Sequence, residues 1–383
     1  MADKIRMGIV GVGNMGTTHL TNLRNGLCPE IIVTAVADIR PERLERVSGP
    51  DIKCFDTNKA MLDSNLVDAV LVATPHYDHP ALAIECLERG AHVMVEKPSG
   101  VYTKQVRKMN EAAEKSDAVF GLMFNHRTDH IYRKMKEIVE SGDMGRMRRI
   151  SWIITDWYRP QVYYDSGAWR ATWSGEGGGV LLNQCPHNLD LLQWICGLPV
   201  KVETNMHFGK WHDIEVEDDV TTYMEFANGA TGIFVTTTGD TPGSNRFELT
   251  FDGGKIISEN GELMLWKLET FEPEFSRTNM QPFGSPAFSK TAVETDGKSE
   301  QHIGVLNAFA GAILRGEPLI AEGVEGINGL MLSNAMHLSA WTNGPVKLPF
   351  DEDLFYDELM KRVQSSRRKV TVTDIVADLT DSY

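Results

Sequence analysis

Met7-Gly-Ile-Val-Gly11-Val-Gly13-Asn-Met-Gly16 leads into a helical pattern with Leu20 and Leu23 on one face, and Ile31-Ile-Val-Thr-Ala-Val-Ala-Asp38 follows. Outward from the glycines the order is strand, Gly11-x-Gly13-x-x-Gly16, helix, second strand and an acid. That acid stands roughly 20 residues beyond the third glycine, the spacing of a ribose-binding carboxylate. Each part has a physical task. Gly11 permits a turn too tight for a Cβ, Gly13 lets a pyrophosphate approach the backbone, and Gly16 lets the helix lie close on the strand. The helix start, with Asn14 and Met15, offers free N–H groups and a positive dipole end to phosphate. Asp38 would accept from the adenosine ribose hydroxyls and repel a 2′-phosphate, so NAD is expected over NADP. Arg40, two residues on, would soften that preference. The plainer reading is a tight βα turn that binds nothing.

A chain of 383 residues is expected to hold two domains and a large core. No apolar run is long enough to span a bilayer, and the first residues pass directly into a strand, so neither a membrane segment nor a signal peptide is expected. The net charge of −15 disfavours nucleic acid and anionic membranes as partners. Cys28, Cys54, Cys86, Cys185 and Cys196 form neither a metal cluster nor a disulfide pattern, which suits reduced thiols in a cytoplasm.

Beyond Asp38, strand and helix patterns alternate. A helix begins near Pro41; Asp68–Ala73 is a continuous apolar run of the kind buried on both faces of a parallel sheet. It ends in Thr74-Pro75-His76-Tyr-Asp-His79, before a helix through Ala81, Ile84 and Leu87. His92–Val95 is a short strand running into Glu96-Lys97-Pro98, Thr103–Glu114 is helical, and a further strand reaches Phe124 and Asn125. This βαβ spacing predicts a doubly wound parallel Rossmann sheet over residues 1–125. Ligands of such sheets bind beyond the strand carboxyl ends, where Asp38, Thr74, Pro75, His76, His79, Glu96, Lys97 and Asn125 all fall. His76 and His79 have the spacing of a metal pair, but further ligands are missing and no metal is expected.

The Gly11–Gly16 run, Ala73-Thr-Pro-x-x-x-His79 and Glu96-Lys97-Pro98 together resemble the Gfo/Idh/MocA oxidoreductases. The likeness continues at Gly177-Gly-Gly-Val-Leu-Leu-Asn183-Gln-Cys-Pro-His187-Asn-Leu-Asp190, at Asn307–Gly316 and at Val346–Pro349, so it covers nearly the whole chain. It implies an α/β fold: the Rossmann domain plus a C-terminal α/β domain with an open, mostly antiparallel sheet, expected over 126–350, that often forms a dimer or tetramer interface. The family's catalytic lysine falls on Lys97 and its histidine on His187. Its usual aspartate falls on Asn183, an amide that can orient but cannot act as a base.

The second half reads consistently. Arg127–Ser141 is helical, and the resemblance implies that it packs back on the first domain; Met147–Trp157 alternates as a strand. An aromatic stretch, Trp157 to Trp173, follows as a long structured loop, with Tyr158, Arg159, Trp169 and Arg170 as candidate substrate contacts; flat aromatic faces suit sugar C–H faces and arginines suit hydroxyls. Asn183 and His187, four apart, are expected on one helix face. Residues 200–268 read as a meandering antiparallel sheet with turns at Asn228-Gly229, Asp252-Gly253-Gly254 and Asn260-Gly261. Residues 269–300 read as a surface loop or arm, 301–341 as two helices packing back on the first domain, and 351–383 as a charged tail, helical from Asp353 to Ser366.

A dinucleotide dehydrogenase must align a carbinol C–H with the nicotinamide, remove the hydroxyl proton and exclude water. His187 is expected to take the proton, Lys97 to stabilise the developing alkoxide and share the base role, and Asn183 to orient the substrate. The expected substrate is a sugar, glycoside or cyclitol oxidised at a secondary ring hydroxyl, C3 being the specific expectation. Two other readings stay open: a redox-assisted glycoside cleaver that recycles NADH within a turnover, and an NAD-binding regulator without turnover.

Overall fold

The computed structural model describes residues 4–367 and residue 369. Its first half runs β1 (Ile5–Val10), α1 (Asn14–Arg24), β2 (Ile31–Ala37), α2 (Pro41–Val47), β3 (Lys53–Phe55), α3 (Asn58–Asp63), β4 (Ala69–Val72), α4 (His79–Glu88), β5 (His92–Val95), α5 (Thr103–Ala113) and β6 (Phe120–Leu122). The six strands are parallel in the order β3-β2-β1-β4-β5-β6. That order reverses between β1 and β4, which opens a crevice at their carboxyl ends. Every residue of β4 is buried, as the unbroken apolar run requires of a strand covered on both faces. The short β3 and α3 carried too little pattern to be read from the sequence.

The second half runs α6 (His130–Ser141), β7 (Met147–Ile154), α7 (Gln161–Asp165), α8 (Pro186–Cys196), β8 (Lys201–Phe208), β9 (Glu217–Glu225), β10 (Thr231–Thr237), β11 (Asn245–Phe251), β12 (Gly254–Glu259), β13 (Glu262–Leu268), α9 (Glu272–Thr278), β14 (Phe288–Ala292), α10 (Gln301–Arg315), α11 (Gly326–Thr342), β15 (Val346–Lys347) and α12 (Glu352–Ser365). Nine strands form one open sheet, β14-β13-β12-β11-β7-β10-β9-β8-β15. It is mostly antiparallel, as the resemblance implied. It is not the simple meander read from residues 200–268: β7 inserts between two meanders and pairs parallel with β10. Residues 269–300 are likewise more ordered than a loop, since they hold α9 and the edge strand β14. The charged tail is helical over α12; residues 368 and 370–383 lie outside the described part.

One face of the second sheet buries Ile150, Trp152, Ile154, Phe234 and Phe247 against α8 and α11, with the Trp152 and Phe247 rings stacked at 4.1 Å. The other face stays accessible, with Ile233 opposite Tyr223, 39% and 41% exposed. The two halves are interlocked. Val305, Leu306, Phe309 and Ala310 of α10 pack in one core with Ile5, Met7 and Ile9 of β1. The Leu122 N–H of β6 donates to the Ala321 carbonyl at 3.2 Å.

Candidate active site

The glycine turn has the shape the sequence requires. Gly11 has φ +86°, and a Cβ there would come within 2.6 Å of the Ala73 carbonyl oxygen. A Cβ on Gly16 would stand 1.9 Å from the Gly11 oxygen. At Gly13 the nearest atom to a Cβ would be Arg43 Nη1 at 3.5 Å, so this backbone lies open. Gly13 is also the N-cap of α1, and no side chain caps the helix. The first-turn N–H groups of Asn14, Met15 and Gly16 therefore suit a pyrophosphate. Asp38 accepts from the Val12 and Arg40 N–H groups, both at 2.9 Å, which fixes its carboxylate at the end of β2. The cation beside it is Arg43, 3.5 Å away, whereas Arg40 contributes its backbone. This cradle fits NAD.

At the ends of β4, β5 and β6 the expected residues gather but divide in role. Glu96 accepts from the His19 ring at 2.6 Å and from the Lys97 N–H at 3.1 Å. Burial would raise its pKa, but His19, His302 and Lys97 outweigh that and hold it at about 2. The His79 ring nitrogens lie 2.7 Å from the Pro98 and Thr74 carbonyl oxygens. Glu96 and His79 thus brace the strand ends. Thr74 Oγ1 and Asn125 Oδ1, by contrast, are buried polar atoms without a protein partner, while Asn125 Nδ2 donates to Gln301 at 2.6 Å. Pro75 starts a turn of 3-10 helix, and His76 lies edge-on to Trp169 at 5.5 Å.

Lys97 and His187 come from different halves and meet electrostatically. Lys97 Nζ donates to the Asn183 backbone oxygen at 2.8 Å. Burial lowers its pKa, and Arg170 and Arg159 lower it further against the pull of Glu96 and Glu176. His187 is buried, stacked on His126 at 4.3 Å, and both of its ring nitrogens lack a protein partner. Burial, then His126 and Lys97, push its pKa well below the ordinary imidazole value, so the ring is a neutral acceptor near pH 7. Helix α8 starts at Pro186, so Asn183 precedes it in a series of turns and does not share a helix face with His187.

The aromatic stretch folds over this pair. Arg170 lies over the Tyr163 ring at 4.6 Å and the Trp169 ring at 4.8 Å, and Nη1 donates to the Tyr163 hydroxyl at 2.8 Å. Arg159 covers Trp157 and Tyr163. Tyr158 stands on the rim, 44% exposed. Sequence reasoning missed Tyr163, Glu176, His126 and His302. His126 was within reach, because it directly follows Asn125 at a strand end; nothing in the local pattern marked the others.

Buried neutral histidines have a measurable cost. Burial holds His126 and His302 at about 4, below the 6.5 of a free imidazole. Above pH 6.5 folded and unfolded chains bind these protons alike. Between 6.5 and 4 the unfolded chain binds more, so stability falls with falling pH, by up to about 3 kcal/mol for each ring. Urea midpoints measured from pH 8 to pH 4.5 should drop in that window; a flat profile would show that the rings are solvated.

Residues 5–124 match the model described as "Oxidoreductase family, NAD-binding Rossmann fold", and residues 132–257 match the GFO/IDH/MocA C-terminal domain. Among curated proteins the chain is similar to myo-inositol 2-dehydrogenase of Thermotoga maritima, 26% identical over 355 residues, covering 90% of this chain and 98% of that one. Among solved structures it shares its fold with the WlbA dehydrogenase of Bordetella pertussis in complex with NADH and UDP-GlcNAcA, at a TM-score of 0.77 and 24% identity over 92% of this chain and 99% of that one. A levoglucosan dehydrogenase in complex with NADH and L-sorbose aligns at a TM-score of 0.73 and 21% identity, covering 91% and 99%.

Proposed function

Because this chain belongs to the GFO/IDH/MocA family of NAD-binding oxidoreductases, we propose that it oxidises a secondary ring hydroxyl of a sugar, glycoside or cyclitol, with Lys97 and His187 doing the acid–base work. The observation that carries this reading is the His187 imidazole. It is buried with both nitrogens unpartnered, beside a lysine whose charge is weakened by burial. The name of the inositol dehydrogenase relative supports a cyclitol or sugar as the substrate class.

NAD, when bound, accepts the hydride that leaves the carbinol carbon. Gly11, Gly13, Asn14, Met15 and Gly16 would hold its pyrophosphate and Asp38 its ribose, while Thr74, Pro75, His76 and Asn125 line the crevice. The Lys97 ammonium donates to the reacting oxygen and stabilises its developing charge. The neutral His187 ring takes the hydroxyl proton. Arg170, Arg159 and Trp169 close the substrate side and exclude water, with Tyr158 at the rim. C3 of a pyranoside is the specific expectation.

The test is a panel of cyclitols, sugars and glycosides followed by NADH absorbance, with NADP in parallel. Net NADH formation is expected with at least one ring polyol, and NADP should serve poorly because Asp38 faces the ribose. Glycoside cleavage without NADH release would favour the recycling mechanism, and NAD binding with no turnover across the panel would favour a regulator. We also propose that the accessible face of the nine-stranded sheet, with Ile233 and Tyr223, forms a homodimer or homotetramer contact. Light scattering that returns a monomer would refute it.

A further inference from the structure

Glu176 is a buried carboxylate that the chemistry above does not use. Among the described residues no cation lies within ion-pair distance of it, yet it is only 2% exposed. Each of its oxygens accepts a hydrogen bond. Oε2 accepts from the Ala171 N–H at 2.5 Å, at a residue held in the left-handed region with φ +53°, and Oε1 accepts from the Asn183 side-chain amide. A carboxylate has only acceptors to offer, so the group facing it must be the Asn183 NH2. The Asn183 Oδ1 then points the other way, and the Tyr163 hydroxyl lies 3.3 Å from it. That hydroxyl receives Arg170 at 2.8 Å and Gln184 at 3.2 Å. Donation therefore runs in one direction, from Arg170 and Gln184 through Tyr163 and Asn183 to Glu176.

We propose that Glu176 is a positioning residue that fixes the amide of Asn183 with its oxygen on the Tyr163 side, where the acceptor position that Tyr163 leaves open receives a substrate hydroxyl in the Lys97 cleft. The inference rests on the dehydrogenase reading above and adds a specificity rule: the substrate group read at this position is a hydroxyl donor. Asn183 is well placed to set it, because its own backbone oxygen receives the Lys97 ammonium. Protonating Glu176 reverses the rule. The backbone N–H of Ala171 is fixed, so Oε2 must remain an acceptor and the new O–H would sit on Oε1. Asn183 must then turn its oxygen toward Glu176 and its NH2 toward the cleft. Burial raises the pKa of Glu176, with Arg170 opposing. The other titratable groups that face it are Lys97, His76, Tyr164, Glu217 and Lys369.

Glu176→Gln mimics the protonated state at every pH, because the glutamine oxygen must face Ala171 and its NH2 must face Asn183. With whichever polyol the wild type oxidises, KM is expected to rise about tenfold to a hundredfold with a smaller change in kcat. The wild-type KM should climb on the acid side, whereas the variant's KM should be high and flat. A purely structural glutamate would give parallel pH profiles, and that result would overturn the proposal. A second measurement needs no substrate: pH-difference infrared spectra of the whole protein should contain a buried carboxylic-acid carbonyl band that Glu176→Gln lacks. If no polyol is oxidised, the dehydrogenase reading fails by itself. The infrared band then decides whether Glu176 titrates as required, and its absence overturns this inference.

Discussion

Lys97→Ala is expected to lower kcat/KM for the oxidised polyol by about a thousandfold while leaving NAD affinity within a few-fold of wild type. The lysine brings an ammonium from the end of β5 to the cleft beside His187. Its pKa is lowered first by burial, with Glu96 and Glu176 pulling it back up. Removing it takes away both the donor to the reacting oxygen and a charge that keeps His187 neutral. His187→Ala should cost a similar factor. The double variant should cost little more than either single one, as expected for groups that act as a unit. Isothermal titration with NAD separates loss of chemistry from loss of the coenzyme. Near-wild-type turnover in either single variant would remove that residue from the mechanism.

The second large effect is on stability. Arg127 and Asp190 are each 1% exposed at the side chain and form a two-pronged pair, Nε to Oδ2 at 2.8 Å and Nη2 to Oδ1 at 2.7 Å. The guanidinium also reaches Glu325 and lies over the Trp194 ring at 5.2 Å. It lies in the turn that follows the last strand of the first sheet, while Asp190 is one turn beyond His187 on α8, so the pair fastens the helix bearing His187 to that connection. Burial raises the pKa of Asp190 and the arginine opposes that rise. Arg127→Met leaves this carboxyl alone in the interior and should cost about 3–5 kcal/mol in urea unfolding. Adding Asp190→Leu should recover most of the loss, because an apolar pair needs no desolvation. If the single variant unfolds like wild type, the pair is not what holds α8 in place.

The Rossmann half could be read because its signals are local: Gly11, Gly13 and Gly16 precede a helix, Asp38 ends a strand, and 69–72 is an unbroken apolar run. Lys97 and His187 were named through the family resemblance and brought together by the fold. The insertion of β7 beside β10 was not legible, because strand pairing across eighty residues leaves no mark on either strand's alternation. The helical face assumed for Asn183 failed for a local reason. The triple glycine is followed by turns held by Glu217, which accepts from the Gly179 N–H at 2.8 Å and the Leu181 N–H at 3.0 Å, and the helix waits for Pro186. Glu176 and Tyr163 escaped notice because their importance lies in hydrogen bonds to each other's neighbours, which only the folded loop supplies.

The seating of α10 beneath β1 has a consequence for how the protein is made. Ribosomes release chains from the amino end, and domains ordinarily fold as they emerge. Here Ile5, Met7 and Ile9 await Val305, Leu306 and Phe309, so the nascent nucleotide half emerges with one greasy flank bare until some three hundred further residues have been made. Chaperone demand during synthesis, and failure of any product truncated before α10, follow from that single packing choice.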